Sequence, residues 1–552
     1  MNDRSHAGAP GLSVSRALNL FYLLAGVVTA FFLLTGGIPL EQWHLLGKGA
    51  ATKAFCIKSV RISVLCFAGL SLTWAVVFPN QFRKLWVIRG LREFFSWPLR
   101  VTVSGAAVVY SAIMIAVGFE RHAALDTRAF DLGIFAQALW NTVRGDFLYS
   151  SLKGGICLLG DHISPILVAL VPLYAIIPDP RVLLVVQPLA TAACMVPLAW
   201  IAMRRLGDKR EALLFVLMFF FYMPARAALR EDFHPEVLAE IFILLSFIAL
   251  ETGRLKWFWI CAIPVMAAKE NFLGVTFFLG AYAFLFKNLR KTGAVMMALS
   301  AVLFVFEIKW VAPFFGKAPY FYGVNYSKLP PAQALQILSD GKRWAYVFKV
   351  FGPFLFLPVW HPPTAFLTLP VCIQNFLSQN PTLRSLNYHY SAGLTPFLFV
   401  STIYGVGALS SRWAGVRRVR TLVIAVLLTV ILTQAGPPEY FYFWQCRNRR
   451  TSHTEWVRKT LGAIAPDASV LTHNNLIPQL VNRKHVYQLD YNASPTKAEL
   501  ARKLGVDYVI VDRLFWEPNS APPDIALAEL REAGYQTEAE QGGLTLLRRK
   551  IS

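Results

Sequence analysis

From Ala17 to Gln434 the chain repeats one pattern: an apolar run, a short polar cluster, then another apolar run. A helix needs about 20 mostly apolar residues to cross roughly 30 Å of hydrocarbon. By that rule spans are expected near 16–36, 60–79, 100–119, 181–203, 211–226, 237–252, 257–270, 272–286, 292–312, 346–360, 363–378, 391–409 and 420–436, about thirteen in all. The run "ALNLFYLLAGVVTAFFLLTGG" is long for a signal peptide and has no clear small-residue cleavage site, so it reads as a retained span. One apolar segment breaks the scheme. "ISPILVALVPLYAIIP" (163–178) is about 16 residues long and holds three prolines, and it reads as a juxtamembrane or partly inserted element.

After "QAGPPEY" the pattern changes. Short apolar strands in "ASVLTHN", "HVYQLD", "VDYVIVD" and "LTLLRR" alternate with helical stretches such as "TKAELARKL" and "DIALAELREAG". That alternation predicts a small soluble α/β domain over 437–552 without a glycine-rich phosphate loop, either shaping acceptor access or purely structural. The expected organisation is therefore N-terminal membrane helices over 1–99, a membrane core over 100–436 with a long loop at 120–162, and the α/β domain.

Composition agrees with the periodicity. Hydrophobic residues are 55% of the 552, charged residues 16%, and the mean hydropathy is +0.47. The chain reads as a polytopic α-helical membrane protein. The net charge of +22 sits in short basic stretches such as 204–210, 287–291 and 412–420. It fits cytoplasmic loops on an anionic leaflet better than nucleic-acid binding. The positive-inside bias then puts the N-terminus inside and the C-terminal domain outside the cytoplasmic membrane. Seven cysteines, mostly within apolar runs, make no disulfide framework.

With that parity, four polar clusters fall on the external face: the loop 120–162, "REDFHPE" (230–236), "KEN" (269–271) and "SQNPTLRSLNYHY" (378–390). Burying one Asp, Lys or Arg at a helix centre costs about 2.5–3.5 kcal/mol, so such clusters belong at an interface or around a water-filled cavity. In the first loop, Phe130–Val143 reads as an amphipathic helix with Phe130, Ile134, Ala138 and Leu139 on one side. Asp131 stands at its beginning, where a carboxylate would also serve as an N-cap.

The strings "FDLGIFAQALWNTVRG", "GDHISPILVALVPLYAI", "DFHPE", "KEN" and "NYHYSAGLTPFLF", in that order, carry a resemblance. The chain resembles the predicted membrane proteins grouped as the domain of unknown function numbered twenty seventy-nine, most clearly over residues 120–400. That family is similar to the GT-C glycosyltransferases, which take sugars from polyprenyl-phosphate donors on the non-cytoplasmic side. The resemblance implies a GT-C-like fold, with the catalytic carboxylate in the first external loop, at Asp131. Leu132 follows it, so the acidic pair of better-known relatives is missing, and Asp126 is a rival.

Transfer with inversion needs a carboxylate to accept the acceptor hydroxyl's proton, and cations or hydrogen-bond donors on the departing phosphate. Asp131 and Asp232 are the candidate carboxylates, and Lys269, Arg384 and Arg230 the candidate phosphate ligands. Tyr388, His389 and Tyr390 offer flat faces and polar tips for a sugar, although a tyrosine pair also suits an interfacial aromatic belt. Glu270 belongs to the same polar set. His162, His234 and Glu236 could hold a divalent cation such as Mg or Mn with Asp131, without the spacing of a strong metal motif. The expected partners are a polyprenyl-phosphate-linked sugar and a lipid, glycan or protein acceptor. The competing class is a transporter or lipid flippase; against it stand the lack of an internal repeat and the confinement of polar residues to one face.

Overall fold

The computed structural model describes residues 96–323, 336–410, 416–436, 439–489, 496–515 and 522–550. The spans expected near 16–36 and 60–79 lie outside the described residues. Among the described residues, four helical stretches are long and apolar enough to cross a membrane: Leu99–Ala123, Arg181–Leu206, Lys209–Arg230 and Arg290–Gly316. Shorter apolar helices, Leu255–Met266, Phe272–Phe286 and Thr395–Leu409 among them, pack beside them. The chain is a multi-pass helical membrane protein.

Local chemistry sets the helix boundaries. Asp208 caps the helix Lys209–Phe221, its carboxylate accepting from the Arg210 N–H at 2.7 Å. The stretch then breaks at Tyr222, which is extended, and Pro224 opens the short helix Met223–Arg230. The neighbouring helices Phe272–Phe286 and Arg290–Phe306 meet at glycines. A Cβ on Gly293 would lie 2.6 Å from the Gly280 carbonyl oxygen, so this close approach admits no side chain there.

Two expected spans are corrected. Neither 346–360 nor 363–378 is one continuous helix. The helix Gly341–Phe351 gives way to 3-10 turns at Gly352–Phe354 and Leu357–Trp360, a short helix Pro362–Ala365, and the helix Leu369–Leu377. Pro353, Pro358 and Pro362 open successive turns, and Leu355 and Phe356 take left-handed backbone (φ 51° and 54°). The segment 163–178 forms a 3-10 turn Pro165–Leu170 and a helix Val171–Ile176. Twelve residues at about 1.5–2.0 Å each reach about 18–24 Å, short of the hydrocarbon thickness. Tyr174 from this element hydrogen-bonds Asn482 of the C-terminal domain at 2.9 Å.

The loop after Leu99–Ala123 carries a turn Ala129–Gly133, the helix Ile134–Val143 and a small hairpin of β1 (Tyr149–Ser150) with β2 (Ile156–Cys157). The expected helix over Phe130–Val143 is shorter, Phe130 lying outside it with extended backbone, and it is buried on more than its apolar side: Gln137 and Asn141 are enclosed together with Ile134, Ala138 and Leu139. The C-terminal domain is a five-stranded sheet of order β4-β3-β5-β7-β6, comprising β3 (Val470–Thr472), β4 (Val486–Gln488), β5 (Tyr508–Asp512), β6 (Tyr535–Gln541) and β7 (Leu544–Arg549). Strand β3 runs parallel to β4 and β5, whereas β7 runs antiparallel to β5 and β6. One face of the sheet buries Leu471, Val509, Val511 and Leu547 against its own helices. Val470 and Ile510, with Leu476 and Ile477 of the loop after β3, share a core with Leu132, Leu139 and Leu167 of the membrane part.

Candidate functional site

The polar clusters meet in one chain of contacts. Asp131 lies 3.3 Å from His234 Nε2, and the His234 ring stacks on His389 with centroids 3.5 Å apart. His389 Nε2 lies 3.5 Å from Glu236 Oε1, and Lys269 Nζ donates to the same oxygen at 3.0 Å. Next to Lys269, Glu270 accepts from Tyr320 at 2.6 Å and from the Ile163 N–H at 2.9 Å, with His162 Nδ1 also 2.9 Å away. Tyr322 stacks on His162. Tyr390 packs against His389, and Tyr388 meets Tyr390 edge-on.

Asp131 is not the N-cap that its position suggested. The helix begins three residues later, at Ile134, and no side chain caps it. Asp131 instead sits at φ 85° and ψ −83°, close to the strained γ-turn region that a side chain seldom occupies. The turn points its carboxylate at His234 and leaves it 38% exposed. His234 and His389, by contrast, are buried, and neither Nδ1 has a hydrogen-bond partner among the described residues. Buried imidazole nitrogens without partners are uncommon.

The electrostatics of this chain alternate. Burial opposes charge on His234, but Asp131 and then Glu236 outweigh it and hold its pKa above the usual histidine value. Burial, helped by the neighbouring His234 and Lys269, keeps His389 well below that value and neutral. Burial pushes Glu236 up, yet Lys269 and His234 hold it below the usual carboxylate range. For Glu270, burial is overcome by His162, Lys269 and the Tyr320 hydroxyl, which bring it down to about 2. Lys269 is held above the ordinary lysine value by Glu236 and Glu270 against its burial.

Asp232 is buried and engaged on both carboxylate oxygens. Its Oδ1 pairs with Arg121 at 2.8 Å and its Oδ2 accepts from the Arg128 N–H at 2.8 Å. It is 3% exposed and has left-handed backbone (φ 67°). Asp126 is likewise engaged, by Arg121 and Arg449. Arg384 stands apart from the chain of contacts: it donates to the Ser378 carbonyl at 2.6 Å, beside Arg343, which uses the same carbonyl. Arg230 pairs with Glu439 at 3.0 Å and lies over the Tyr442 ring. Arg230 is thus ion-paired, whereas among the described residues Arg384 bonds only main-chain carbonyls.

The divalent-cation site that the sequence left open is not formed by the residues proposed for it. Among the described residues no three His, Cys, Asp or Glu side chains converge as metal ligands. His162 is taken by Glu270, Glu236 by Lys269, and Asp131 by His234.

Several neighbours escaped the sequence reading. Arg121 closes the last turn before the loop in "FERHA", and Tyr320 and Tyr322 sit in "APYFYG". Glu231 is half-buried; burial, with Asp131 and Asp232 nearby, lifts its carboxyl. A separate cavity of about 440 Å³ lies between the end of Leu99–Ala123 and the C-terminal domain, lined by Glu120, Asp179, Arg181, Arg450 and Arg458 among others. None of the residues in the Asp131–Glu270 chain lines it.

No curated protein matches the chain. Two solved structures of ArnT from Cupriavidus metallidurans, one bound to undecaprenyl phosphate and one in the apo state, are similar at 12% and 11% identity. Each covers 80% of this chain and 98% of its own, with a TM-score of 0.49. The family model described as predicted membrane protein (DUF2079) matches residues 121–546, most of the 552, and the chain belongs to that family.

Proposed function

We propose that the protein is a membrane glycosyltransferase of GT-C type that moves a sugar from a polyprenyl-phosphate donor to an acceptor hydroxyl on the non-cytoplasmic side. The observation that carries this reading is the setting of Asp131. It is a partly exposed carboxylate on a strained turn, while Asp232, Glu236 and Glu270 are buried and ion-paired. Strained backbone at a partly open polar cluster is a recurrent mark of functional sites.

In this reading Asp131 accepts the proton of the acceptor hydroxyl. The acceptor oxygen attacks the anomeric carbon from the face opposite the phosphate. The bond from that carbon to the phosphate oxygen breaks, and its electron pair leaves on the lipid phosphate. His234, which favours its charged form, holds Asp131 in place by their 3.3 Å contact and adds positive field for the departing anion. Lys269, in the same chain of contacts, adds to that field. The half-buried Tyr388 and Tyr390 rings, backed by the buried His389, offer a surface for the sugar. Lys269, although paired with Glu236, lies inside the chain of contacts, whereas Arg384 stands apart from it and Arg230 pairs with Glu439, so Lys269 is the phosphate-side cation of this reading.

The test uses the purified protein in nanodiscs with synthetic polyprenyl-phosphate-linked hexoses and pentoses, and membrane extract as acceptor. Release of polyprenyl phosphate, with label moving to the acceptor fraction, is the expected result. Movement of intact donor between leaflets of sealed vesicles without cleavage would instead favour a flippase.

A further inference from the structure

We infer that the C-terminal domain is part of the catalytic apparatus, and that Asn474 is a positioning residue holding the Asp131 turn in its working shape. The inference rests on the reading of Asp131 as the base, and it assigns the domain a role beyond shaping acceptor access.

The contact originates in the sheet. The loop after β3 leaves from the carboxyl end of a strand flanked by two parallel partners, the edge from which open α/β sheets present their functional loops. His473, fully buried, anchors that loop: its Nε2 accepts from the Asp512 N–H of β5 at 3.0 Å, and its carbonyl accepts from the Leu476 N–H at 3.0 Å. His453 in turn lies 3.0 Å from Asp512 Oδ2. Two successive asparagines then project from a braced base.

Both reach the loop that carries Asp131. The Ala129 N–H donates to Asn474 twice, to its carbonyl at 2.9 Å and to its side-chain Oδ1 at 2.8 Å. Asn475 Nδ2 donates to the Leu125 carbonyl at 3.0 Å, and Gln479 Nε2 to the His122 carbonyl at 3.0 Å. Ile477 packs against Gly133, where an added Cβ would lie 3.3 Å away.

These bonds bracket the strain. Leu125 (φ 59°) and Asp131 (φ 85°) both hold backbone that side chains disfavour. Such conformations persist only where the surroundings over-determine them. Here the two amides before Phe130 are fixed by two different segments: the Arg128 N–H by Asp232 of the turn after Met223–Arg230, the Ala129 N–H by Asn474 of the C-terminal domain. Asp131 therefore points at His234 because two separate parts of the protein hold its turn. A shift of about 1 Å at a reacting group can cost about 100-fold in rate, so the domain contributes to turnover without touching substrate.

The experiment compares the full-length wild type with Asn474→Ala, Asn474→Asp and Asn475→Ala in nanodiscs, by amide hydrogen exchange and by steady-state kinetics with a polyprenyl-phosphate hexose as probe. Asn474→Ala removes one of the two acceptors on the Ala129 N–H and keeps the main-chain carbonyl, so exchange of the 126–134 peptide should speed by about twofold to threefold, the low end for one lost hydrogen bond. The β5 peptide 508–512 should keep its protection, which separates release of the clamp from unfolding of the domain. Turnover should fall at least as far, with KM for the donor unchanged. Asn474→Asp, which keeps the acceptor oxygen, should restore both. Asn475→Ala gives an independent route, through Leu125. Unchanged exchange over 126–134 in both alanine variants overturns the inference, as does equal impairment in Asn474→Ala and Asn474→Asp. An Asp131→Asn control separates the two claims: normal turnover there removes the base but leaves the exchange result to decide the clamp.

Discussion

Breaking the Glu236–Lys269 pair should destabilise the protein more than either residue's charge alone would suggest. The two groups are 3.0 Å apart, with side chains 6% and 14% exposed, so each is shielded from water by the other's presence. Removing one partner of such a pair leaves a buried charge uncompensated and costs about 3–5 kcal/mol. Glu270 lies beside Lys269 and contributes to holding it charged, so Glu236→Gln belongs near the lower end, about 3 kcal/mol. Lys269→Met leaves Glu236 facing His389 and the nearby His234, which also moderates the loss. The double variant removes both charges, and its cost should fall short of the sum by about 0.5–3 kcal/mol. Equilibrium unfolding in mixed micelles measures all four corners of the cycle. Glu236 has a depressed folded pKa, so its contribution is complete above the unfolded carboxyl value of about 4.3 and is lost as the pH falls through the lower folded value. Strict additivity, or wild-type stability in Glu236→Gln, would refute the reasoning.

His234 behaves in the opposite sense. Its folded pKa is raised, so the stability it draws from Asp131 is complete below about pH 6.5 and fades as the pH rises through the folded value. The apparent Tm should slope downward above neutrality, and His234→Asn should flatten that slope; an unchanged slope removes the pair from the account. Asp232→Asn should cost less than the roughly 3–5 kcal/mol of a fully stranded buried charge, because Arg121 keeps Asp126 at 3.2 Å, and the folded fraction should retain turnover; complete loss with unchanged amide exchange over 126–134 would make Asp232 a catalytic group. Arg384→Ala should leave donor affinity within about twofold, because its guanidinium serves the Ser378 carbonyl; a loss beyond tenfold would return it to the phosphate site. Cysteines introduced at Glu231 and Gln536 should label from the same, outer side of sealed cells, and opposite sides would break the topology.

The membrane architecture was legible because hydrocarbon demands continuous apolar helix, and stretches such as Leu99–Ala123 announce themselves. The region 346–378 misled because its residues are apolar but its prolines and left-handed Leu355 and Phe356 break it into turns. The meeting of "REDFHPE", "KEN" and "NYHY" was expected because clustered ionisable groups avoid lipid, and the structure brings the three into contact. Which residues touch within it did not. Arg384 and Arg230 read as free cations because a sequence does not show which carbonyls and carboxylates will claim them. The strained turn at Asp131 was hidden for a related reason. Its backbone is imposed by Asp232 and Asn474, 101 and 343 residues away along the chain.

The most direct measurement is sugar transfer by Asp131→Asn, assayed beside the wild type with a polyprenyl-phosphate-linked sugar at matched folding and membrane insertion. The substitution keeps the side-chain shape and removes the proton acceptor. A general base contributes about 10²–10⁴ in rate, so turnover should drop by that factor while donor binding persists. Wild-type turnover in Asp131→Asn would contradict the account.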